Sequence, residues 1–266
     1  MILITGTDGF IGQHLLQRFP QGGIYYSEKQ YCFDDLYEGI NWEEIKQIWH
    51  LGAITDTTET DINKIHKYNI DYTIKLLNNA IDYQIPVKYA SSAAVYGNTN
   101  YRREINPLNY YALSKATIDR FVEDNIDKFS KIQGYRFFNV FGKHESHKGD
   151  QASPVYKFTK QARETGTIKL FEKSNACMRD FIWVEDVIDC MFYDKPSGIY
   201  DLGTGVARSF ERVAQLVAEK ECATIECIPF PKHLENKYQY FTCSLNHFID
   251  HKFLSIEEYL LRNDNI

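Results

Sequence analysis

The chain has 266 residues, 44% hydrophobic and 25% charged, a balance ordinary for a globular protein large enough to bury a core. A net charge of -6 and a pI near 5.8 exclude the basic footprint of a nucleic-acid binder. No apolar run approaches the about 20 residues that span a bilayer, and six cysteines without a C-x-x-C pair suit reduced thiols in a cytoplasmic protein.

The chain opens with "MILITG", a strand-type run ending in glycine, so no secretory leader is expected. "FIGQHLLQRF" follows with Ile11, Leu15, Leu16 and Phe19 at helical spacing, stopped by Pro20 and the Gly22-Gly23 pair. "GIYYS" and "QYCF" read as short strands, and "QIWHLGA" as another that ends in a glycine loop. Residues 61–83 carry a long helical pattern through Ile62, Ile65, Ile70, Ile74, Leu77 and Ile81. "VKYASS" is the next strand, a second long helix covers about 109–128, and "GYRFFNV" closes the region.

Strands alternating with helices, the strands nearly continuous in apolar residues, predict a doubly wound parallel sheet covered on both faces. After Val140 the rhythm loosens into loops, a helix over about 154–165 and short strands. "GIYDLGTG" and "SFERVAQLVAE" read as a late return to the sheet and a helix. The expected organisation is α/β. Residues 1–142 with about 177–208 form a cofactor domain, and 143–176 with about 209–266 form a smaller α/β substrate domain.

The first turn reads Gly6-Thr7-Asp8-Gly9-Phe10-Ile11-Gly12. Glycine is needed where the chain turns tightly, where backbone approaches a pyrophosphate and where helix packs on strand. A strand before and an amphipathic helix after make this a dinucleotide-binding turn of the Rossmann type. Gly6, Gly9, Phe10, Ile11 and Gly12 are its cofactor-binding candidates. Glu28 suits the ribose diol of NAD, whereas Ser27 with Lys29 suits the 2′-phosphate of NADP. Asp35 and Leu36 fall where the adenine would lie. NADP is the expected cofactor, with NAD open.

"NYYALSKATIDRF" holds Tyr111 and Lys115 four apart, on one helix face. A tyrosine is a poor base at neutral pH unless its phenolate is favoured, and a neighbouring ammonium with a cationic nicotinamide is expected to lower its pKa. Ser92, at the end of "VKYASS", is placed to hold the substrate hydroxyl. The His144/His147 and His247/His251 pairs have helical spacing but no third ligand, and no metal is expected.

With "SSAAVYG", "YALSK" and "RDFIWVEDV", the glycine turn resembles the extended short-chain dehydrogenase/reductase family of nucleotide-sugar enzymes, over nearly the whole chain. The resemblance implies a nucleotide-sugar substrate and hydride transfer between a bound nicotinamide and a sugar carbon, with Tyr111 as acid/base. Leu51, Gly52, Ala53, Asn69, Lys115 and Val140 would line the cofactor. Ala93 and Ala94 stand where sugar dehydratases resemble one another in carrying an Asp-Glu pair, which disfavours water elimination. Within the family, "FNVFGKHESHKGDQAS" and "IPFPKHLENKYQYFT" resemble an epimerase branch that inverts its sugar at C6″. Lys148 would then be a second acid/base. Ser92, Asn139, Asp150, Lys157, Phe171, Glu172, Ser174, Arg179 and Tyr238 would contact substrate, Arg179 pairing with the diphosphate. A C4-epimerase or reductase of another nucleotide hexose, and a non-enzymatic cofactor sensor, stay open. The sequence departs from that branch at Ser146, Asp150 and Lys173, which replace a glycine, a serine and part of a small-residue turn. The two long helices could simply cover the sheet; in the family the chain resembles they often pair with a second subunit, so the resemblance implies a homo-oligomer.

Overall fold

A computed structural model describes residues 1–19, 24–26, 40–98, 104–231, 239–245 and 247–262. The expected strand "QYCF" lies outside them, as do Ser27, Glu28, Lys29, Asp35, Leu36 and Tyr238. Among the described residues no helix is long and apolar enough to cross a membrane.

The first compact unit comprises Met1–Val95, Asn109–Arg136 and Met191–Tyr200. Strand β1 (Ile2–Thr5) leads through the glycine turn into α1 (Phe10–Leu16), which ends short of the predicted boundary at Pro20. Then come β2 (Ile24–Tyr26), β3 (Gln47–His50), α2 (Ile62–Ile65), α3 (Tyr72–Asp82), β4 (Val87–Ser92), α4 (Tyr110–Asn125) and β5 (Ile132–Phe137). Asp61 and Asn109 cap α2 and α4 by accepting the Lys64 and Ala112 amides, satisfying donors the first helical turn leaves orphaned. The predicted single helix over 61–83 is divided: α2 and α3 are joined by a π-helical stretch, His66–Asp71. Its widened turn carries the buried Asn69, whose amide bonds Ile54 and Ser114.

The main sheet runs β2-β1-β3-β4-β5-β9, where β9 is Gly198–Leu202. β1 pairs in parallel with β2 on one side and β3 on the other. The chain therefore reverses its lateral direction at β1, and ligands of such sheets bind beyond the strand ends at that switch point. The core beneath is formed by Leu3, Ile48, Leu76, Leu77, Val87, Ile118, Val122 and Ile132.

The second unit comprises Tyr96–Leu108, Phe137–Cys190 and Asp201–Ile266. It contains β6 (Asn139–Phe141), α5 (Pro154–Thr165), β7 (Thr167–Phe171), β8 (Met178–Trp183), most of α6 (Val184–Met191), β10 (Ala207–Ser209), α7 (Phe210–Glu221), β11 (Thr224–Ile228) and α8 (Ile256–Leu261). α5 matches its predicted span because its punctuation is explicit: Ser153 caps it, Pro154 opens it, and Gly166 ends it in the left-handed region at φ 68°. β8 lies between β10 and β6, β11 pairs with β7, and α5 packs on α7 over Phe141, Val155, Ile168, Phe181, Val213 and Val217.

One glycine in the sheet is dictated by packing. A Cβ on Gly134 of β5 would collide with the Cζ and hydroxyl of Tyr89, which is only 1% exposed on β4. Gly134→Ala should therefore destabilise the protein by about 1–3 kcal/mol, the usual consequence of overpacking. Urea unfolding checks this, and an unchanged midpoint would refute it.

Candidate active site

The two loops at the switch point are held edge to edge. Thr5 Oγ1 accepts the Gly52 amide at 3.1 Å and bonds His50 Nδ1 at 2.7 Å. His50 Nε2 bonds Thr73 Oγ1 at 2.9 Å, and the Leu51 amide donates to the Thr5 carbonyl at 3.3 Å. Gly6 has φ 75°, and a Cβ there would strike the Gly52 amide; a Cβ on Gly12 would overlap the Gly6 carbonyl. Gly9 begins α1 without a side-chain cap, Phe10 stacks edge-on to His14, and Ile11 is half-buried. Bare backbone at a switch point is what a dinucleotide's pyrophosphate requires, so these residues fit the cofactor. Leu51, Gly52 and Ala53 form the facing wall. Asn69 braces it by accepting from the Ile54 amide at 2.8 Å and donating to the Ile54 carbonyl at 2.9 Å.

Beside this cradle, β4 ends at Ser92 and α4 begins with Tyr110 and Tyr111. The Ser92 hydroxyl accepts the Ala94 amide at 3.1 Å and hydrogen-bonds the Tyr111 phenol. Lys115 is buried one turn further along, and its ammonium donates to the Ala90 carbonyl at 2.8 Å. The pKa of Tyr111 differs from the expectation. Burial raises it above the ordinary phenol value; the Ser92 bond opposes that rise and the charge of Asp119 adds to it. The chain's own groups thus keep Tyr111 protonated, because removing a phenol from water penalises the phenolate more than one hydroxyl bond favours it.

In the second unit, the stretch Ser146–Gln151 forms a tight helical turn containing Lys148. Gly149 within it adopts φ 52°, ψ -124°, where a side chain would be strained. Lys148 Nζ donates to Glu145 Oε2 at 2.9 Å. Glu145 is wholly buried and also accepts from the Gly142 amide, the Ser153 amide and the Ser153 hydroxyl, at 3.1, 2.7 and 2.7 Å. Lys157 Nζ donates to the Asp150 carbonyl at 3.2 Å. Asn139 and Val140 lie on β6 opposite Phe181 and Ile182. Phe171, Glu172 and Ser174 share the turn after β7, where the Ser174 hydroxyl donates to the Phe171 carbonyl and Lys173 stands at φ 63°. Arg179 is buried; its guanidinium donates to the carbonyls of Met178 and Gln239 and lies over the Phe210 ring. Of the histidines, His247 accepts the Asp201 amide and His251 bonds Asp186.

A doubly wound sheet that ends in a glycine cradle beside Ser92, Tyr111 and Lys115 defines an enzyme working on a bound nicotinamide cofactor. The NAD dependent epimerase/dehydratase family matches residues 2–196, and the chain belongs to that family. Two ADP-L-glycero-D-manno-heptose-6-epimerases, from Brachyspira hyodysenteriae and Alkalilimnicola ehrlichii, are 35% and 36% identical to it; each match covers 91% of this chain and 88% of the relative. The crystal structure of the Helicobacter pylori ADP-L-glycero-D-manno-heptose-6-epimerase superposes with a TM-score of 0.81 at 26% identity, covering 97% of this chain and 92% of that one. A UDP-glucose 4-epimerase from Thermotoga maritima shares the fold at 19% identity and a TM-score of 0.82, over 97% and 96% of the two chains. These likenesses make the chain an isomerase of the nucleotide-sugar epimerase type.

Sequence reasoning passed over His50 and Glu145. His50 is 2% exposed between Thr5 and Thr73, and its one legible signal was a polar residue closing an apolar strand. Burial, and then the charge of Lys115, push its pKa down to about 3. In the unfolded chain a histidine titrates near its ordinary value of 6.5. Below pH 6.5 the unfolded state therefore binds a proton that the native state refuses. The stability that depends on neutral His50 is complete above pH 6.5 and declines as pH falls towards 3, by up to about 1.4 kcal/mol per pH unit. His50→Gln should flatten the fall in stability between pH 6.5 and 4 relative to the parent, as urea unfolding across that range will show. Parallel curves would refute the assignment.

Proposed function

We propose that this enzyme is an ADP-glycero-manno-heptose 6-epimerase, which oxidises the sugar at C6″ to a transient ketone and reduces it on the opposite face. The observation that carries the reading is Lys148, set in the His147-Lys148-Gly149 turn on a wholly buried carboxylate. The identity of 35–36% with two heptose epimerases supports it. Beside Ser92, Ala93 and Ala94 offer no acid and base for water elimination.

In this reading the glycine turn, residues 51–53, Asn69, Lys115 and Val140 hold the cofactor. NADP is the proposed form, through Ser27 and Lys29, with Asp35 and Leu36 at the adenine. A nicotinamide bound there would supply reversible hydride transfer at the sugar carbon. Ser92 orients the substrate hydroxyl, and Tyr111, whose phenolate a cationic nicotinamide would favour, exchanges the hydroxyl proton of one stereoisomer. Lys148 exchanges the proton for the other stereoisomer, so each face of the ketone has its own acid/base. Asn139, Asp150, Lys157, Phe171, Glu172, Ser174, Arg179 and Tyr238 are proposed to bind the nucleotide sugar. Residues 1–142 with about 177–208 are the proposed cofactor domain, and the remainder the substrate domain. Five free cysteines among the described residues suit a cytoplasmic enzyme.

Incubation with ADP-D-glycero-D-manno-heptose should yield its C6″ epimer by NMR. Lys148→Met should lower that turnover at least about 100-fold with bound cofactor unchanged. Turnover of a UDP-hexose but not of the heptose would sink the substrate assignment, and full activity in Lys148→Met would remove the second acid/base. The apolar groove of Ile62, Ile65, Ile70, Tyr110 and Leu113 on α2, the π-helical stretch and α4 supports a homo-oligomer. Leu113→Glu should then shift the protein to a smaller species in sedimentation; an unchanged species would exclude that face.

A further inference from the structure

Asp119 lies one turn beyond Lys115 on α4 and is 2% exposed. Its carboxylate accepts hydrogen bonds from the Tyr89 hydroxyl at 3.0 Å, the Ser91 hydroxyl at 2.9 Å and Arg136 Nε at 2.7 Å. Tyr89 and Ser91 flank Ala90 on β4, and the Ala90 carbonyl takes the Lys115 ammonium. Arg136 reaches in from β5 and is itself largely buried. One helical turn of α4 is thus fixed at four points to three consecutive residues of β4 and to β5. A buried carboxylate that lost these donors would be left uncompensated, so the network is either whole or costly.

We propose that Asp119 is a positioning residue for Tyr111 and Lys115: paired with Arg136, it fixes the register of α4 on β4, and its negative charge sets the field at the tyrosine. The proposal rests on the reading of Tyr111 as the acid/base, and nothing in that reading required Asp119. Among the described residues, the charged and titratable groups that act on the network are Tyr89 on β4, Arg136 on β5, Tyr111 and Glu123 on α4, and Lys115, which in turn acts on His50 of β3. Tyr89, raised well above the ordinary phenol value by burial and by Asp119, stays a hydrogen-bond donor. The charge of Asp119 also acts on Tyr111 in the direction that disfavours phenolate. Removing the carboxylate charge should therefore favour the Tyr111 phenolate, whereas removing the guanidinium leaves that charge without its partner and should disfavour it. A merely structural pair would disturb both variants alike.

The test compares Asp119→Asn and Arg136→Gln with the parent. Tyr111 is titrated in the purified protein by NMR of 13Cζ-labelled tyrosine, its signal identified by its loss in Tyr111→Phe. Asp119→Asn should lower the Tyr111 pKa by on the order of half a unit, and Arg136→Gln should raise it. Both should reduce kcat for the heptose at least about tenfold, with KM changed far less, as displaced catalytic groups do. Shifts of the same sign, or kcat within about twofold of the parent in both variants, would overturn the proposal. Should Arg136→Gln fold poorly, Asp119→Asn still decides, since a Tyr111 pKa unchanged or raised in that variant would overturn the proposal. Full turnover in Tyr111→Phe would instead overturn the reading of Tyr111 itself, while the titration would still report whether Asp119 and Arg136 act on it.

Discussion

The Lys115 ammonium donates to the Ala90 carbonyl at 2.8 Å, and that bond joins the helix carrying Tyr111 to the strand ending in Ser92. It places a cation at the carboxyl end of a parallel sheet. The charge is felt next door, where it helps His50 to stay neutral. His50 in turn ties Thr5 on β1 to Thr73 on α3, and Thr5 holds the Gly52 amide. Helix α4 and the glycine turn are thereby tied to neighbouring strand ends, α4 to β4 by a hydrogen bond and the turn to β3 through Thr5 and His50, with the charge of Lys115 acting between them. A displacement of α4 along β4 would be transmitted to the loop that faces the glycine turn.

The same device recurs in the second unit. Glu145 is buried with four donors, and Asp180 is buried with the Thr204 amide and hydroxyl, the Gly205 amide and the Ser244 amide. Desolvating a carboxylate is expensive, and apolar packing stabilises as well or better. What four directed bonds add is geometry: they dictate where each partner lies. The Glu145 set links Gly142, Lys148 and the capping residue of α5 at one carboxylate, so the loop and the helix share one reference point. Asp180 fixes the loop after β9 in the same way.

Sequence legibility followed local rules. β1, α4 and α5 were readable because their boundaries are written in adjacent residues: Gly6 after an apolar run, Asn109 as a cap, and Ser153, Pro154 and Gly166 around α5. The π-helical stretch left one trace, the five-residue step from Ile65 to Ile70 between steps of three and four, which a helical reading absorbs as a skipped position. Tyr111, Lys115 and Ser92 were readable as residue types at a spacing, but the direction of the tyrosine's pKa was not. It depends on burial by residues distant in sequence and on Asp119, which reads in isolation as a helix-face charge. Glu145 was hidden for a related reason. A stretch as polar as "HESHKGDQAS" gives no sign that one of its acids is completely enclosed.

That enclosure explains how the loop tolerates its departures. The geometry around Lys148 rests on Glu145 and on Gly149, whose φ of 52° favours glycine. Asp150 engages Lys157 through its main-chain carbonyl, which any residue supplies, so exchanging a serine for an aspartate leaves that bond intact. Ser146 begins the turn and is exposed, so a hydroxymethyl group there meets water rather than the core. Lys173 adopts the left-handed backbone of the turn after β7 at φ 63°, at the conformational penalty a non-glycine residue carries. Departures at Ser146 and Asp150 therefore vary what the loop presents without moving the atoms that hold Lys148. The placement of Lys148 is more constrained by this architecture than the side chains that surround it on the loop.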